Sequence, residues 1–154
     1  MSYTVTATLA FVSGPEVNTM NYARIVAIRQ NTSNPRLFVP CVRIPRAIDL
    51  AARGATGWPS GSGFRLDFGM MYFTSTGFNG YAAGVTQLLT GTTIHTPDLD
   101  DRSVVVDGSF TISSGLTPPD AHQQVTVTAQ LVFLTAAGVV VELGSAHETI
   151  LALA

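Results

Sequence analysis

The 154-residue sequence contains no lysine; all eight of its basic residues are arginine, set against ten acids. That absence excludes chemistry that rests on a lysine amine, including Schiff-base formation and the phosphate-binding lysine of a Walker loop. Charge of either sign is scarce, at 12% of residues, about half the share usual for a globular domain. A single cysteine, Cys41, excludes an intramolecular disulfide. Its neighbours Val39, Pro40 and Val42 are apolar, so it reads as a small buried side chain; a nucleophilic thiol needs a base and an electropositive setting. No apolar run approaches the ~18 residues of a membrane span. The first eight residues, Met-Ser-Tyr-Thr-Val-Thr-Ala-Thr, alternate polar with apolar instead of forming a basic region and an apolar block, so no signal peptide is read and synthesis in the cytoplasm is expected. Equally absent are Gly-x-Ser-x-Gly around Ser60 or Ser62, His-Glu-x-x-His, and Gly-x-Gly-x-x-Gly, so the common hydrolase, zinc-protease and dinucleotide signatures are missing.

What is present is alternation of period two. Tyr3, Val5, Ala7, Leu9 and Phe11 interleave with polar residues, as do Phe64 to Tyr72 and Val125 to Phe133, and each run predicts a half-buried strand. Further strands are expected over 22–30, 36–44, 81–89, 103–113, 139–143 and 147–153. Nineteen threonines and sixteen valines supply the β-branched weight that favours strands over helices. Ser13-Gly14-Pro15, Asn31 to Pro35, Asn79-Gly80, Thr117 to Asp120 and Ala136 to Gly138 read as turns. Asn79-Gly80 is the strongest hairpin signal, because both residues tolerate the positive φ of a type I′ turn. One short helix is expected over Pro45–Arg53, with proline in its first turn and Gly54 ending it. The length suits one domain, residues 1–154, with a core large enough to need no staple. The pattern predicts an all-β, two-sheet sandwich, jelly-roll-like, with an immunoglobulin-like sandwich as the rival. Strand order is not readable.

Candidate sites are few. Asp98, Asp100 and Asp101 form the densest acidic cluster; alternate oxygen ligands suit Ca²⁺, but the glycine and glutamate spacing of an EF-hand is missing, and a solvated turn is the plainer reading. His147, Asp107 and Ser109 would have to meet in space to make a triad. Asn31-Thr32-Ser33 matches a glycosylation sequon and reads as a turn. No cofactor is expected. The charges are distributed unevenly: residues 1–60 hold six arginines against Glu16 and Asp49, whereas the remainder holds two arginines and eight acids. Arg36, Arg43, Arg46 and Arg53 gather around the expected helix, and with Trp58 they are the candidate interface residues. A basic patch on one subunit would meet the acidic loop of the next, or the charges neutralise within one chain. Six arginines without lysine, a basic tail or a stacking platform argue against nucleic acid, and nothing argues for a membrane.

Low charge and long apolar strands leave few guards against edge pairing, so association into a homo-oligomer is expected. In composition and architecture the chain resembles the small β-rich virion proteins of tailed bacteriophages, head decoration and tail proteins above all. That likeness implies a non-enzymatic structural subunit contacting other subunits, localised to the virion. Residues Val104 to Ser114 are similar to a strand segment of trimeric jelly-roll lectins of the tumour-necrosis-factor-like type. This second likeness implies a glycan site, for which Trp58, Tyr72, Tyr81, Arg102 and Asp107 are the candidate residues.

Overall fold

The computed structural model describes residues 22–54, 62–74, 80–95 and 102–153. The expected strand over Tyr3 to Phe11 and the Ser13-Gly14-Pro15 turn lie outside them. Within them the alternation has its predicted effect. Strands β3 (Gly63–Phe73) and β8 (Gln124–Leu134) pair antiparallel, with Leu66 opposite Leu131, Phe68 opposite Ala129 and Met70 opposite Val127, which makes one face of the pair apolar. Outside them lie β4 (Gly80–Leu88) and β9 (Val140–Leu151), giving the order β4-β3-β8-β9. The second sheet runs β1 (Arg24–Gln30), β2 (Leu37–Pro45), β6 (Ser103–Asp107), β5 (Thr93–Ile94), and β7 (Phe110–Thr111) pairs the beginning of β2. Ile25, Ile28, Phe38, Val42, Ile44, Val104 and Val106 of this sheet share one core with Leu66, Phe68, Met70, Tyr72, Val125, Val127 and Leu131 of the other. Each such side chain contributes about 1.5–3 kcal/mol by leaving water. The protein is an all-β two-sheet sandwich. Each of the hairpins β1–β2, β3–β4 and β8–β9 stays within one sheet.

The helix forms where proline and glycine bracket it. Helix α1 (Arg46–Arg53) follows directly on β2, whose last residue, Pro45, is its N-cap and not part of its first turn. Gly54 ends it by donating its N–H to the Leu50 carbonyl at 2.8 Å, at a φ of −92°, so no left-handed cap is used. Asp49 is buried, and Arg53 one turn later reaches back to it, Nε to Oδ1 at 2.7 Å. The residual exposure of Asp49 is only 2%, so this partner is what makes its burial tolerable.

Three elements differ from expectation. The runs 139–143 and 147–153 are one strand, β9, because a bulge opposes Leu131 to Gly144 and Val132 to Glu142 and leaves Leu143 as the extra residue. The run 103–113 is broken at Gly108-Ser109 into β6 and β7, the two short strands that pair successive parts of β2. The hairpin near Asn79-Gly80 exists, but its last pair is Phe73 with Gly80, so these two residues do not form a two-residue turn. Turn length here follows from the pairing of β3, which the local dipeptide does not control.

Two close approaches fix the packing. The Phe68 ring reaches across the core onto Gly108, where a Cβ would lie 2.4 Å from the ring. On β9, a Cβ at Gly144 would lie 2.9 Å from the backbone nitrogens of Tyr22 and Ala23, so the chain entering β1 crosses the strand over a bare backbone. Gly108→Ala is expected to cost about 1–3 kcal/mol by overpacking. Urea denaturation should show Phe68→Leu recovering part of that loss in the double variant while being destabilising alone.

Candidate functional site

The outer face of the five-stranded sheet carries the densest polar cluster among the described residues, and strand register places it there. Cys41 of β2 lies opposite Asp107 of β6, which in turn lies opposite Thr93 of β5. Arg29 stands two residues beyond Ala27, the partner of Cys41, and His95 stands two beyond Thr93. The backbone N–H of His95 donates to Val105 at 2.7 Å and holds the residue in line with the sheet. Cys41 alternates with the core residues of β2 and so faces away from the core, yet it is 1% exposed.

One nitrogen organises the cluster. Arg29 Nη2 lies 3.1 Å from Cys41 Sγ, 2.8 Å from His95 Nδ1, and 3.2 and 3.1 Å from the two Asp107 carboxylate oxygens. His95 Nδ1 is also 3.2 Å from Asp107 Oδ2. Nδ1 either accepts from Arg29 or donates to Asp107, depending on the tautomer of the ring. The Cys41 thiol donates towards the Val39 carbonyl at 3.8 Å while its sulfur accepts from Arg29. Burial pushes the thiol up to about 11, with the Arg29 hydrogen bond opposing and Asp107 adding to the rise. The Cys41 contact above all, followed by the charge of Asp107, holds the Arg29 guanidinium more firmly charged against the opposing effect of its burial.

Cysteine, histidine and aspartate with ligand atoms within 4.8 Å of one another are a donor set suited to a transition metal. Here the guanidinium nitrogen is at hydrogen-bonding distance from all three, so the cation these donors share is Arg29. The arrangement is a clamp joining β1, β2, β6 and the end of β5. With its ionisation pushed up by burial, the Cys41 thiol stays protonated at neutral pH within this clamp. Sequence reading identified Cys41 as buried, which holds, but missed the clamp. Its members are 12, 66 and 78 residues from Arg29, and only the pairing of β2 with β6 brings them together.

The residues singled out from sequence fare unevenly. Arg36 donates to the carbonyls of Ser113 and Leu116 at 2.6 and 2.5 Å, so it ties down a turn. Arg53 is likewise taken up internally, by Asp49 and by the carbonyl and hydroxyl of Thr92. Arg46 is exposed at the start of α1, and Arg43 is half-buried on the outer face of β2. Trp58, Asp98, Asp100 and Asp101 lie outside the described residues. His147 and Asp107 belong to different sheets, so they do not form a triad with Ser109. Tyr72 is a core residue, 1% exposed, whose hydroxyl donates to Thr117, and therefore it cannot join Arg102 and Asp107 around a sugar. The sequon is a turn: the Asn31 side-chain oxygen accepts from the Ser33 hydroxyl and from the N–H groups of Ser33 and Asn34.

A second feature lies on the outer face of the four-stranded sheet. Gly69 lies opposite Gly84 on one side and Thr128 on the other, and on the Thr128 side its missing side chain floors a groove of about 350 Å³ lined by Asp67, Thr126, Thr128, Gln130 and His147. Arg65 and Asp67 pair along one wall at 3.0 Å. Among the described residues, no helix is long and apolar enough to cross a membrane.

The raised thiol has two measurable consequences. Cys41 should resist alkylation at neutral pH in the folded protein and react on unfolding. An unfolded thiol ionises near 9.0 and this one near 11, so the folded state binds the proton more tightly. Stability should be unaffected by this group below pH 9 and fall as pH rises from 9 towards 11, by on the order of 2–3 kcal/mol in total. Urea denaturation across that range should show the slope flattened in Cys41→Ala. No protein-family model, curated protein or solved structure matches this chain.

Proposed function

We propose that the chain is a non-enzymatic structural subunit of a larger assembly built from copies of itself, of the kind represented by capsid decoration or tail proteins of a virion. The observation that carries this reading is the state of the sheet edges. A strand edge presents unpaired N–H and C=O groups, and monomeric proteins guard it with charge, bulges, proline or brevity. All but one of the edge strands among those described, the two-residue β7 included, are guarded in this way. Edge strand β1 carries Arg24 and Arg29 and a bulge at Val26, β5 has only two residues, and β9 carries Glu142, Glu148 and the bulge at Leu143. The nine residues of β4, Gly-Tyr-Ala-Ala-Gly-Val-Thr-Gln-Leu, contain neither charge nor proline and pair without a bulge.

Apolar surface borders the same edge. Leu88 of β4 is 60% exposed, and Met71 and Phe73 of the adjoining β3 are about half exposed. The occupant this edge suits is a strand of equal length and equally low charge, which β4 of a second copy provides under two-fold symmetry. Such pairing would extend the β4-β3-β8-β9 sheet from one subunit into the next.

A second reading, an oligomeric lectin, draws on the Gly69-floored groove, whose carboxylate, amide, hydroxyl and imidazole groups suit a polyol. The one aromatic residue of its lining, Phe68, turns its ring into the core towards Gly108, so the groove offers no aromatic face of the kind sugar sites use and this reading stands behind the structural one. Light scattering over a wide concentration range should show a closed oligomer or a polymer. Thr86→Lys with Leu88→Lys, both at exposed positions of β4, should weaken association at least tenfold while leaving monomer stability within about 0.5 kcal/mol. A wild-type protein that stays monomeric throughout would overturn the proposal.

A further inference from the structure

Most of the arginines are held by a partner, and one facing pair is not. Arg29 has Asp107, Arg53 has Asp49, Arg65 has Asp67, and Arg36 has two carbonyls. Arg24 and Arg43 have no such partner among the described residues, although they lie directly opposite each other on β1 and β2. Like charges directly opposite in a sheet are destabilising. The Nε–H of Arg43 is, in addition, shielded from solvent with no acceptor, which costs a desolvated donor its hydrogen bond. Neither feature helps the fold, and they coincide.

They coincide at a pocket. A cavity of about 180 Å³ is lined by Tyr22, Arg24, Arg43, Arg102 and Ser103, with Ile44 and Pro45. No carboxylate belongs to that lining. The volume equals roughly six waters at their liquid share of about 30 Å³ each, enough for a tetrahedral oxyanion with part of its hydration shell. We propose that Arg24 and Arg43, with Arg102 and the hydroxyl-bearing Tyr22 and Ser103 at the rim, form a binding site for a small oxyanion of the phosphate or sulfate class.

The chemistry follows from the guanidinium. Its planar fork matches two oxygens of such an anion, and charge-assisted bonds to it are about twice as strong as neutral ones. Bound between the two strands, the anion would turn a repulsive pair into two attractive contacts and give the Arg43 Nε–H its acceptor. The site therefore trades stability of the unliganded sheet for affinity. It is separate from the Arg29 clamp, and it does not depend on the assembly reading.

The test is titration of the isotopically labelled protein with sodium sulfate and with sodium phosphate, against sodium chloride at equal ionic strength. Saturable one-to-one shifts of amide resonances centred on Tyr22, Arg24, Arg43 and Ser103 are expected. Arg43→Met and Arg24→Gln should each weaken binding at least tenfold. In chloride, Arg43→Met should melt no lower than wild type, because it removes a like-charge contact, and it should lose the rise in melting temperature that sulfate gives the wild type. If Arg43→Met does not fold, Arg24→Gln, at an exposed position, decides alone. Shifts that do not saturate, that scatter over all arginines, or that persist unchanged in both variants would overturn the proposal.

Discussion

Inside the sandwich almost nothing is polar, and that constrains everything outside it. The shared core of Ile25, Phe38, Val42, Leu66, Phe68, Val127 and their neighbours supplies cohesion through apolar burial, which is non-directional. Such a core tolerates many arrangements of similar volume, and a one-residue slip of any strand would exchange its faces. Register and strand choice must therefore be specified by directional contacts, and those lie at the margins. The clamp at Arg29 ties β1, β2 and β6 to the end of β5. Gln30, 6% exposed, accepts from the Leu153 N–H and donates to the Pro35 carbonyl, joining the end of β1 to the end of the chain. Arg53 bridges α1 to Thr92 in the connection between the sheets.

Because the sequence has few ions, the ones that tie the fold together are easily told apart: Arg29, Arg36, Arg53 and Arg65 each have a defined partner among the described residues. A surface rich in lysine and glutamate would have masked both the uncharged β4 edge and the unpaired Arg24–Arg43 contact. Here they stand out against a background in which the other edges are guarded and most arginines have partners. The two features also differ in kind. The edge offers a long row of backbone groups, suited to another strand, whereas the pocket offers two localised positive charges, suited to a compact anion.

How much of this the sequence disclosed depended on distance along the chain. Period-two runs located β3 and β8 nearly to the residue, and Pro45 and Gly54 bracketed the helix, because each signal is local. The bulge at Leu143 was not legible: a bulge puts the two parts of β9 out of phase, so one strand reads as two. The break between β6 and β7 has a sequence mark, Gly108, but the Phe68 ring that packs on it arrives from the other sheet. The clustering of Arg36 and Arg53 with Arg43 and Arg46 suggested a common patch, whereas contacts to Ser113, Leu116 and Thr92 take two of the four into the fold. The Arg29 clamp, whose members come from four parts of the chain, had no local signal.

The facing glycines of the four-stranded sheet bear on how the molecule would carry load. At Gly69 and Gly84 two adjoining strands lose their outward side chains side by side, so cross-strand packing on that face is interrupted between the rows at Asp67 and Met71. Backbone hydrogen bonds alone span the gap, and glycine permits a wider range of twist than any other residue. The sheet is thus most compliant along a line that reaches its β4 edge. If copies join at that edge as proposed, each would carry a crease about which it could flex, so that one fold would follow surfaces of different curvature.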